Sequence, residues 1–470
     1  MGIGLKFSLR TLVGETCSAF ITALFFIFLI FSKDLVAQGF YNAEVDSLSY
    51  EALQRKDWNK VIQIGEEAEA KGFDFYYLRL RKGVAWDNLE KYNNSEKEYK
   101  KANRFFPVDT LTHWYRYVAL IKAGRESEAR TLSFKLTDWQ KQYSGFKDIR
   151  LNSIGVETGV LTGNAPNSVF RNPAEVLLVQ RQQSKVFFAS GAANMWLGNR
   201  LNLIAGYMYI QTENVVKTTL KSKPLGNSGP IRTETNSWTL SALQNSAYVG
   251  LNYQFKNSWS IFVAGTFVPY EAQTISLSGN YSSTSYALSS SRNSFSSLDY
   301  SLFIQVKKRW KSVEFDPGYS VNRVYLQSYH QANLGCVYYP NGNNRLFFAG
   351  QLSFLSKDST RIIAGFKAGA RLANWIWLEG SAVVGKLYGS SEAGGWILNN
   401  NPDQINWKTS LNFTFIINSR WEIPLRFGFL SREGITEKEE LLPGGKTSIK
   451  FMEPYTYHHF IINTGIKFNF

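Results

Sequence analysis

Apolar and polar positions alternate with period two up to the C-terminal residue: Phe460, Ile462, Thr464, Ile466, Phe468 and Phe470 fall on one face, and Asn463, Gly465, Lys467 and Asn469 on the other. Successive side chains of a strand point to opposite sides, so this is the pattern of a two-faced strand. It recurs upstream. Ile362, Ala364, Phe366, Ala368, Ala370 and Leu372 oppose Arg361, Gly365, Lys367, Gly369 and Arg371; Trp407 to Ile417 opposes Lys408, Ser410, Asn412 and Thr414; Trp421 to Phe429 opposes Glu422, Arg426 and Gly428. Basic side chains on one face of so many strands exclude the core of a soluble sandwich, and no helical pattern follows that could cover the apolar face. A closed antiparallel barrel with lipid outside and a polar lumen satisfies both faces.

The connections predict the strand number. Tight turns at 197–199, 256–258, 309–311, 340–344, 373–374 and 418–420 alternate with longer links near 162–183, 212–244, 273–296, 318–328, 387–405 and 431–455, with one short link at 356–360. Short periplasmic turns and long outer loops are the rule for transmembrane barrels, and the spacing predicts about fourteen strands, within twelve to sixteen. Trp196, Trp259, Trp310, Trp375 and Trp421 stand beside the tight turns, where tryptophan marks a membrane interface, and are expected to form a periplasmic aromatic girdle.

From about Tyr41 to Tyr143 the period becomes helical, and three short segments recur at an offset of 34 residues: Asp57-Trp58, Lys91-Tyr92 and Arg125-Glu126. That is the tetratricopeptide period. The middle copy resembles this repeat family in Gly83, Trp86, Tyr99, Ala102 and Pro107; the third keeps Gly124 and Ala129 but has Tyr117 where the family has a small residue. The resemblance implies stacked helix pairs whose concave groove holds a peptide or protein. The alternative is a cap or spacer at the barrel's periplasmic mouth.

The last strand also resembles the insertion signal of Gram-negative outer-membrane barrels in Asn463, Gly465, Phe468 and the terminal Phe470, which implies handling by the barrel-assembly machinery. At the other end, Lys6 and Arg10 precede the apolar run 19–31, and Leu35-Val36-Ala37 offers a cleavage site, the make-up of a secretory signal peptide. The expected layout is α+β and multidomain: a signal peptide at 1–37, a periplasmic tetratricopeptide-like helical domain at 38–145, and an outer-membrane barrel of antiparallel strands at 146–470.

Charge and chemistry narrow the function. The net charge is +15, but an exported chain meets no nucleic acid, so lipopolysaccharide, peptidoglycan or an acidic polymer are the expected counter-charges, with outer-membrane lipid and lipopolysaccharide as the barrel's expected surroundings. The two cysteines, Cys17 and Cys336, leave only Cys336 after processing; it falls with Leu334 and Tyr338 on an apolar face and is expected to be a small buried hydrophobe. The four histidines are His113, His330, His458 and His459. The adjacent pair points to opposite faces of a strand, so no metal, cofactor or catalytic constellation is expected. Serine tracts at 282–285 and 289–291 and the glycines of Ala393-Gly394-Gly395 read as solvated loops. Arg361, Lys367, Arg371, Lys408, Arg426 and Lys467 are expected to face the lumen with Glu379 and Glu422, either pairing to fill a closed barrel or, if unpaired, selecting anions.

Repeats joined to a barrel resemble outer-membrane proteins that recruit envelope partners through periplasmic repeats. They are also similar to the exporters of cellulose and poly-N-acetylglucosamine, which have more repeats and larger barrels. The expectation is a non-enzymatic outer-membrane barrel docking a periplasmic or envelope protein for assembly, secretion or anchoring. A pore or exporter for an anionic solute or polysaccharide is the alternative, and an outer-membrane hydrolase a remote one.

Overall fold

The computed structural model describes residues 43–144, 146, 150–163, 175–222, 232–281, 286–441 and 448–470. The expected signal peptide at 1–37 lies outside them. The chain divides into two compact units, one made of residues up to Lys122 with Lys135–Thr137, the other of Ala123–Phe134 with Asp138–Phe470.

The first unit is helical: α1 (residues 43–54), α2 (Trp58–Ala70), α3 (Tyr76–Asn88), α4 (Tyr92–Phe105) and α5 (Thr110–Lys122). Asp57 caps α2 by accepting from the Lys60 amide at 3.1 Å, and Val61, Ile62, Gly65 and Ala68 form its buried stripe, the spacing of one helix face. Gly83 of α3 lies so close to α4 that a Cβ there would meet the Tyr99 ring at 2.3 Å. Trp86 packs beside the buried Val61 and Ala85, Ala102 is fully buried, and the Pro107 carbonyl meets His113 Nε2 at 2.9 Å. Three basic residues of α3, Arg79, Arg81 and Lys82, are buried. Arg79 is held by Glu69 at 2.5 Å, Asp74 at 2.6 Å and Glu98 at 2.7 Å, and Lys82 also pairs with Glu69. Burial alone would raise the Glu69 carboxyl, but the hydrogen bonds from Lys82 and Arg79 outweigh it and bring its pKa down to about 2.

The second unit opens with α6 (Glu126–Arg130) and α7 (Asp138–Tyr143) and continues as β1 (Leu151–Gly163), β2 (Glu175–Trp196), β3 (Leu201–Ser222), β4 (Arg232–Gln254), β5 (Trp259–Tyr281), β6 (Tyr286–Trp310), β7 (Val313–Phe315), β8 (Gly318–Val324), β9 (Gln327–Tyr338), β10 (Leu346–Ser356), β11 (Thr360–Ala373) and β12 (Ile376–Val384). After the two-residue strands β13 (Ser391–Glu392) and β14 (Ile397–Leu398) come β15 (Gln404–Ile416), β16 (Trp421–Leu441) and β17 (Ser448–Asn469). β7 and β8 are one stave interrupted at Asp316-Pro317, where proline has no amide for the ladder; pairing with β9 resumes in the same register, Phe315 with Cys336 and Gly318 with Asn333. β17 pairs with β1, Thr464 opposite Thr158, and closes a 14-strand antiparallel barrel.

The alternation sorts the faces. Val156, Val263, Phe366, Phe427, Phe460 and Ile462 are exposed on the outside, while their sequence neighbours Glu157, Lys367, Arg426, Ile461 and Asn463 line the interior. Of the five girdle tryptophans, Trp259, Trp310, Trp375 and Trp421 are exposed. Trp196 is buried, under the Arg130 guanidinium 5.1 Å from its ring, because β2 ends with its even-numbered residues turned inward. Cys336 is exposed rather than buried, since the apolar face of β9 is the barrel's exterior.

Most of the expected outer links are strand. β2 to β6 run for 22, 22, 23, 23 and 25 residues, about 70 to 80 Å at ~3.3 Å per residue against an apolar band of ~25 Å. The span 289–291 belongs to β6, and 282–285 lies outside the described residues. The expected link at 318–328 is β8, a turn at Tyr325-Leu326, and the start of β9. Past the end of β1, β16 pairs directly with β2, Thr436 opposite Gln180, and Leu177, Val179, Val216, Leu240 and Ile275 form a second apolar core among the tall strands.

Candidate functional site: a lumen crossed by an inserted segment

The expected outer loop at 387–405 is inside the barrel. After β12 the chain turns at Gly385 (φ 131°) and folds into the lumen as the short β13–β14 hairpin. Its turn takes Ala393, Gly394 and Gly395 through positive φ, backbone that glycine adopts at no steric cost. Glycine is needed here for a second reason: a Cβ on Gly394 would meet the Phe262 ring at 2.8 Å.

The wall supplies the partners that an irregular segment needs for its backbone polar groups. Gln331 receives and returns hydrogen bonds with the Ser391 backbone at 2.9 and 3.0 Å. Asn322 donates to the Gly389 carbonyl at 3.0 Å, Tyr248 to that of Gly394 at 3.3 Å, Arg361 to that of Tyr388 at 2.9 Å, and Thr266 to that of Gly395. Asn400 donates to the buried Asp299 at 3.1 Å. At the tip, the Trp396 indole packs edge-on against Tyr248 with centroids 4.7 Å apart and occupies the space over Gly206, where a Cβ would meet the ring at 2.0 Å. The segment leaves the wall between β12 and β15 and its tip rests on β3, β4 and β5, roughly half the ring away. It therefore crosses the lumen.

Between the insert and the wall is a cavity of about 640 Å³, lined by Glu157, Gln183, Phe188, Gln351, Arg426, Asn463 and their neighbours, together with Tyr388, Glu392 and Trp396 of the insert. Lys367 pairs with Glu379 at 3.0 Å, Lys408 with Glu392 of the insert at 2.7 Å, and Lys467 with Glu422 at 3.1 Å. Arg371 donates to the Asn374 carbonyl at 2.9 Å. The eight charges singled out from the sequence are thus mostly engaged, and only Arg426 has no ion pair or hydrogen bond among the described residues. Glu392, missed from the sequence, carries one of these pairs. A lone acid beside glycines in an apparent loop gave no sign that Lys408 stood opposite.

The tight-turn end is also obstructed. Asn344 donates to the Gly124 carbonyl and Arg309 to that of Ala123, both at 3.3 Å. Arg125 donates to Ser258 at 2.8 Å, which donates to Glu128 at 2.8 Å, and Arg130 covers Trp196. These contacts run from the β9–β10 turn to the end of β2, on opposite sides of the ring. Half the rim of such a barrel is roughly 40 Å long from strand spacing and tilt, whereas residues 123–130 can reach ~12 Å as helix and ~26 Å extended. The strap crosses the opening rather than following its edge.

Of the remaining candidates, His113 is buried in α5, His330 meets Tyr319 at 2.7 Å on the outer surface, and His459 Nε2 donates to the Gln183 carbonyl at 2.9 Å while His458 is exposed on the opposite face. No group of residues that could hold a metal occurs among the described residues.

No protein-family model and no curated protein matches the sequence. Among solved structures, the chain is similar to the toluene transporter TodX of P. putida (TM-score 0.42, 11% identity, 69% of this chain and 91% of that chain) and a FadL homologue of Pseudomonas aeruginosa (0.43, 10%, 69% and 91%). It is also similar to the translocator domain of the autotransporter NalP from Neisseria meningitidis (0.29, 8%, 74% and 98%). At these identities the likeness is one of fold alone.

Proposed function

We propose that this protein is an outer-membrane channel for a small solute, closed at rest by the inserted segment 386–403 and opened when that segment leaves its seat. The observation that carries the reading is the insert itself, which crosses the lumen, is held largely by side chains of the wall, and encloses a cavity of about 640 Å³, within the ~300 to 1,000 Å³ of small-molecule sites. The outward belt of Val156, Phe366, Phe427 and Phe460 supports lipid, with lipopolysaccharide in the outer leaflet, as its surroundings, and the terminal Phe470 supports insertion by the barrel-assembly machinery. Liposomes carrying the full-length protein should pass small solutes slowly, and those carrying a variant with residues 387–401 replaced by a short Gly-Ser linker should pass them rapidly. Equal, negligible flux in both would refute the channel.

A second reading adds docking of an envelope protein by a periplasmic helical unit. Tyr77, Phe106 and Val108 are exposed together, next to Tyr76, whose ring is 5.0 Å from that of Phe106, and aromatic clusters are favoured at interfaces. The helices opened by Trp58, Tyr92 and Glu126 repeat the spacing seen in the sequence, which supports a tetratricopeptide-like stack. Cross-linking from position 77 in intact cells tests it: one discrete adduct is expected, and a smear of unrelated adducts counts against it.

A further inference from the structure

We propose that the luminal cavity takes a neutral, hydroxyl-rich ligand, a saccharide; this rests on the channel reading and names its substrate class. Two uncharged amides carry the argument. Gln183 is 4% exposed and Asn463 is 3% exposed. Both line the cavity, and among the described residues Gln183 Oε1 and Asn463 Oδ1 are buried without a hydrogen-bond partner. Their amide nitrogens are placed, Gln183 Nε2 donating to Thr212 at 3.5 Å and Asn463 Nδ2 to Glu157 at 3.2 Å, so the acceptor oxygens are left for a donor.

The electrostatics of the lining separate the ligand classes. Lys367 with Glu379 and Lys408 with Glu392 cancel, and what remains among the described residues of the lining is Glu157, Asp316 and Asp403 against Arg426 and Arg432. Such a wall has no excess of positive charge to single out an anion, which removes the basis for an anion-selective ring. A hydrocarbon would leave the buried amide oxygens unpaired, a loss that sites built to hydrogen-bond their substrate impose on analogues without the group. A sugar hydroxyl donates to one partner and accepts from another, matching amides and the hydroxyls of Ser353, Ser381 and Ser410. Phe188, Tyr388 and Trp396 add ring surface for the C–H faces of a pyranose.

The test is calorimetric titration of the full-length protein in detergent with maltose, N,N′-diacetylchitobiose and decanoate. Saturable binding of at least one disaccharide is expected, about tenfold weaker in Gln183→Leu, the cost of an unmade buried hydrogen bond, with no binding of decanoate. Thr212→Val, which releases the Gln183 amide while keeping the shape of its support, should weaken the same sugar if Gln183→Leu proves unstable. Decanoate binding, or no binding of either sugar, would overturn the inference. Solute flux through the insert-deleted barrel decides the channel reading separately: flux without sugar binding overturns the substrate class alone, and sugar binding without flux overturns the channel alone.

Discussion

Trp396 is the residue through which the seat of the insert can be weakened most directly. The Trp396→Ala substitution removes an indole that packs edge-on against Tyr248 and fills the space over Gly206. A fully buried Trp→Ala change costs ~3–5 kcal/mol. Trp396 is half-buried, so ~2–3 kcal/mol is the appropriate figure, of which the aromatic pair supplies ~0.5–1.5 kcal/mol. At ~1.4 kcal/mol per tenfold, the ratio of unseated to seated insert rises roughly 30- to 150-fold. If the unseated state holds ~0.1% of the population, a minor-state level common in two-state proteins, it rises to several per cent. Single-channel recording in planar bilayers reads this directly as open probability. Gly206→Leu should do the same from the other side, because its side chain takes the place of the indole, whereas Trp310→Ala, on the outer surface, should not. Open probabilities within twofold of wild type in both Trp396→Ala and Gly206→Leu would refute the reasoning.

Other expectations follow from different parts of the molecule. Phe470→Asp places a charge just past the end of β17, where the Phe470 amide donates to the Asn152 carbonyl at 3.0 Å, at a cost of up to ~2–4 kcal/mol near the bilayer midplane and less at the interface; less heat-modifiable protein in the outer-membrane fraction is expected, with export unaffected. Gly83→Leu drives a side chain into Tyr99 and should destabilise the helical unit by ~1–3 kcal/mol, seen as faster amide exchange in α3 and α4 with barrel exchange unchanged. Glu69 has its folded pKa lowered from 4.5 to about 2, so its contribution is present above pH 4.5 and is lost as pH falls towards 2. Discounted for its partial exposure, that is ~1–2 kcal/mol, and Glu69→Gln should flatten the loss of helical signal between pH 5 and 2. Arg309→Ala removes the donor to the Ala123 carbonyl and should speed proteolysis of residues 123–134 without altering the barrel's mobility on unheated gels.

The barrel was legible because lipid on one side and a polar lumen on the other impose strict alternation, and Phe460, Ile462 and Asn463 stand on the faces their positions imply. Beyond the apolar band the outward face of a strand no longer meets lipid, so the alternation fades on that side and the upper parts of β3 to β6 look like polar loops, although Val216, Leu240 and Ile275 still pack together there. The β8–β9 turn was hidden for a different reason. Tyr325 and Leu326 have φ of 47° and 67°, conformations usually left to glycine or asparagine. Asp299 accepts from the Tyr325 amide at 2.9 Å, and Tyr270 and Phe295 pack on its ring. The insert depends on partners spread from Gly206 to Lys408, and no local pattern encodes such contacts. Leu387, Trp396 and Leu398 were the available sign, large apolar residues in a glycine- and asparagine-rich stretch that a solvated loop would have no reason to carry. In the helical unit, Arg79 and Lys82 would be placed in solvent by residue type, and Glu69 of α2, Asp74 of the following loop and Glu98 of α4 offset the cost of their burial.

If the insert must move before a solute can pass, a disulfide that holds it in its seat stops the flux. Ser320 of the wall and Ser391 of the insert have their hydroxyl oxygens 3.0 Å apart, close enough for the short Cβ separation of a disulfide, ~3.5–4.5 Å. Flux through liposomes carrying the Ser320→Cys, Ser391→Cys double variant, made with Cys336→Ser and Trp396→Ala so that the resting flux is measurable, should fall to the protein-free level on oxidation and return on reduction. Undiminished flux through the fully oxidised protein would show that solutes pass with the insert in its seat.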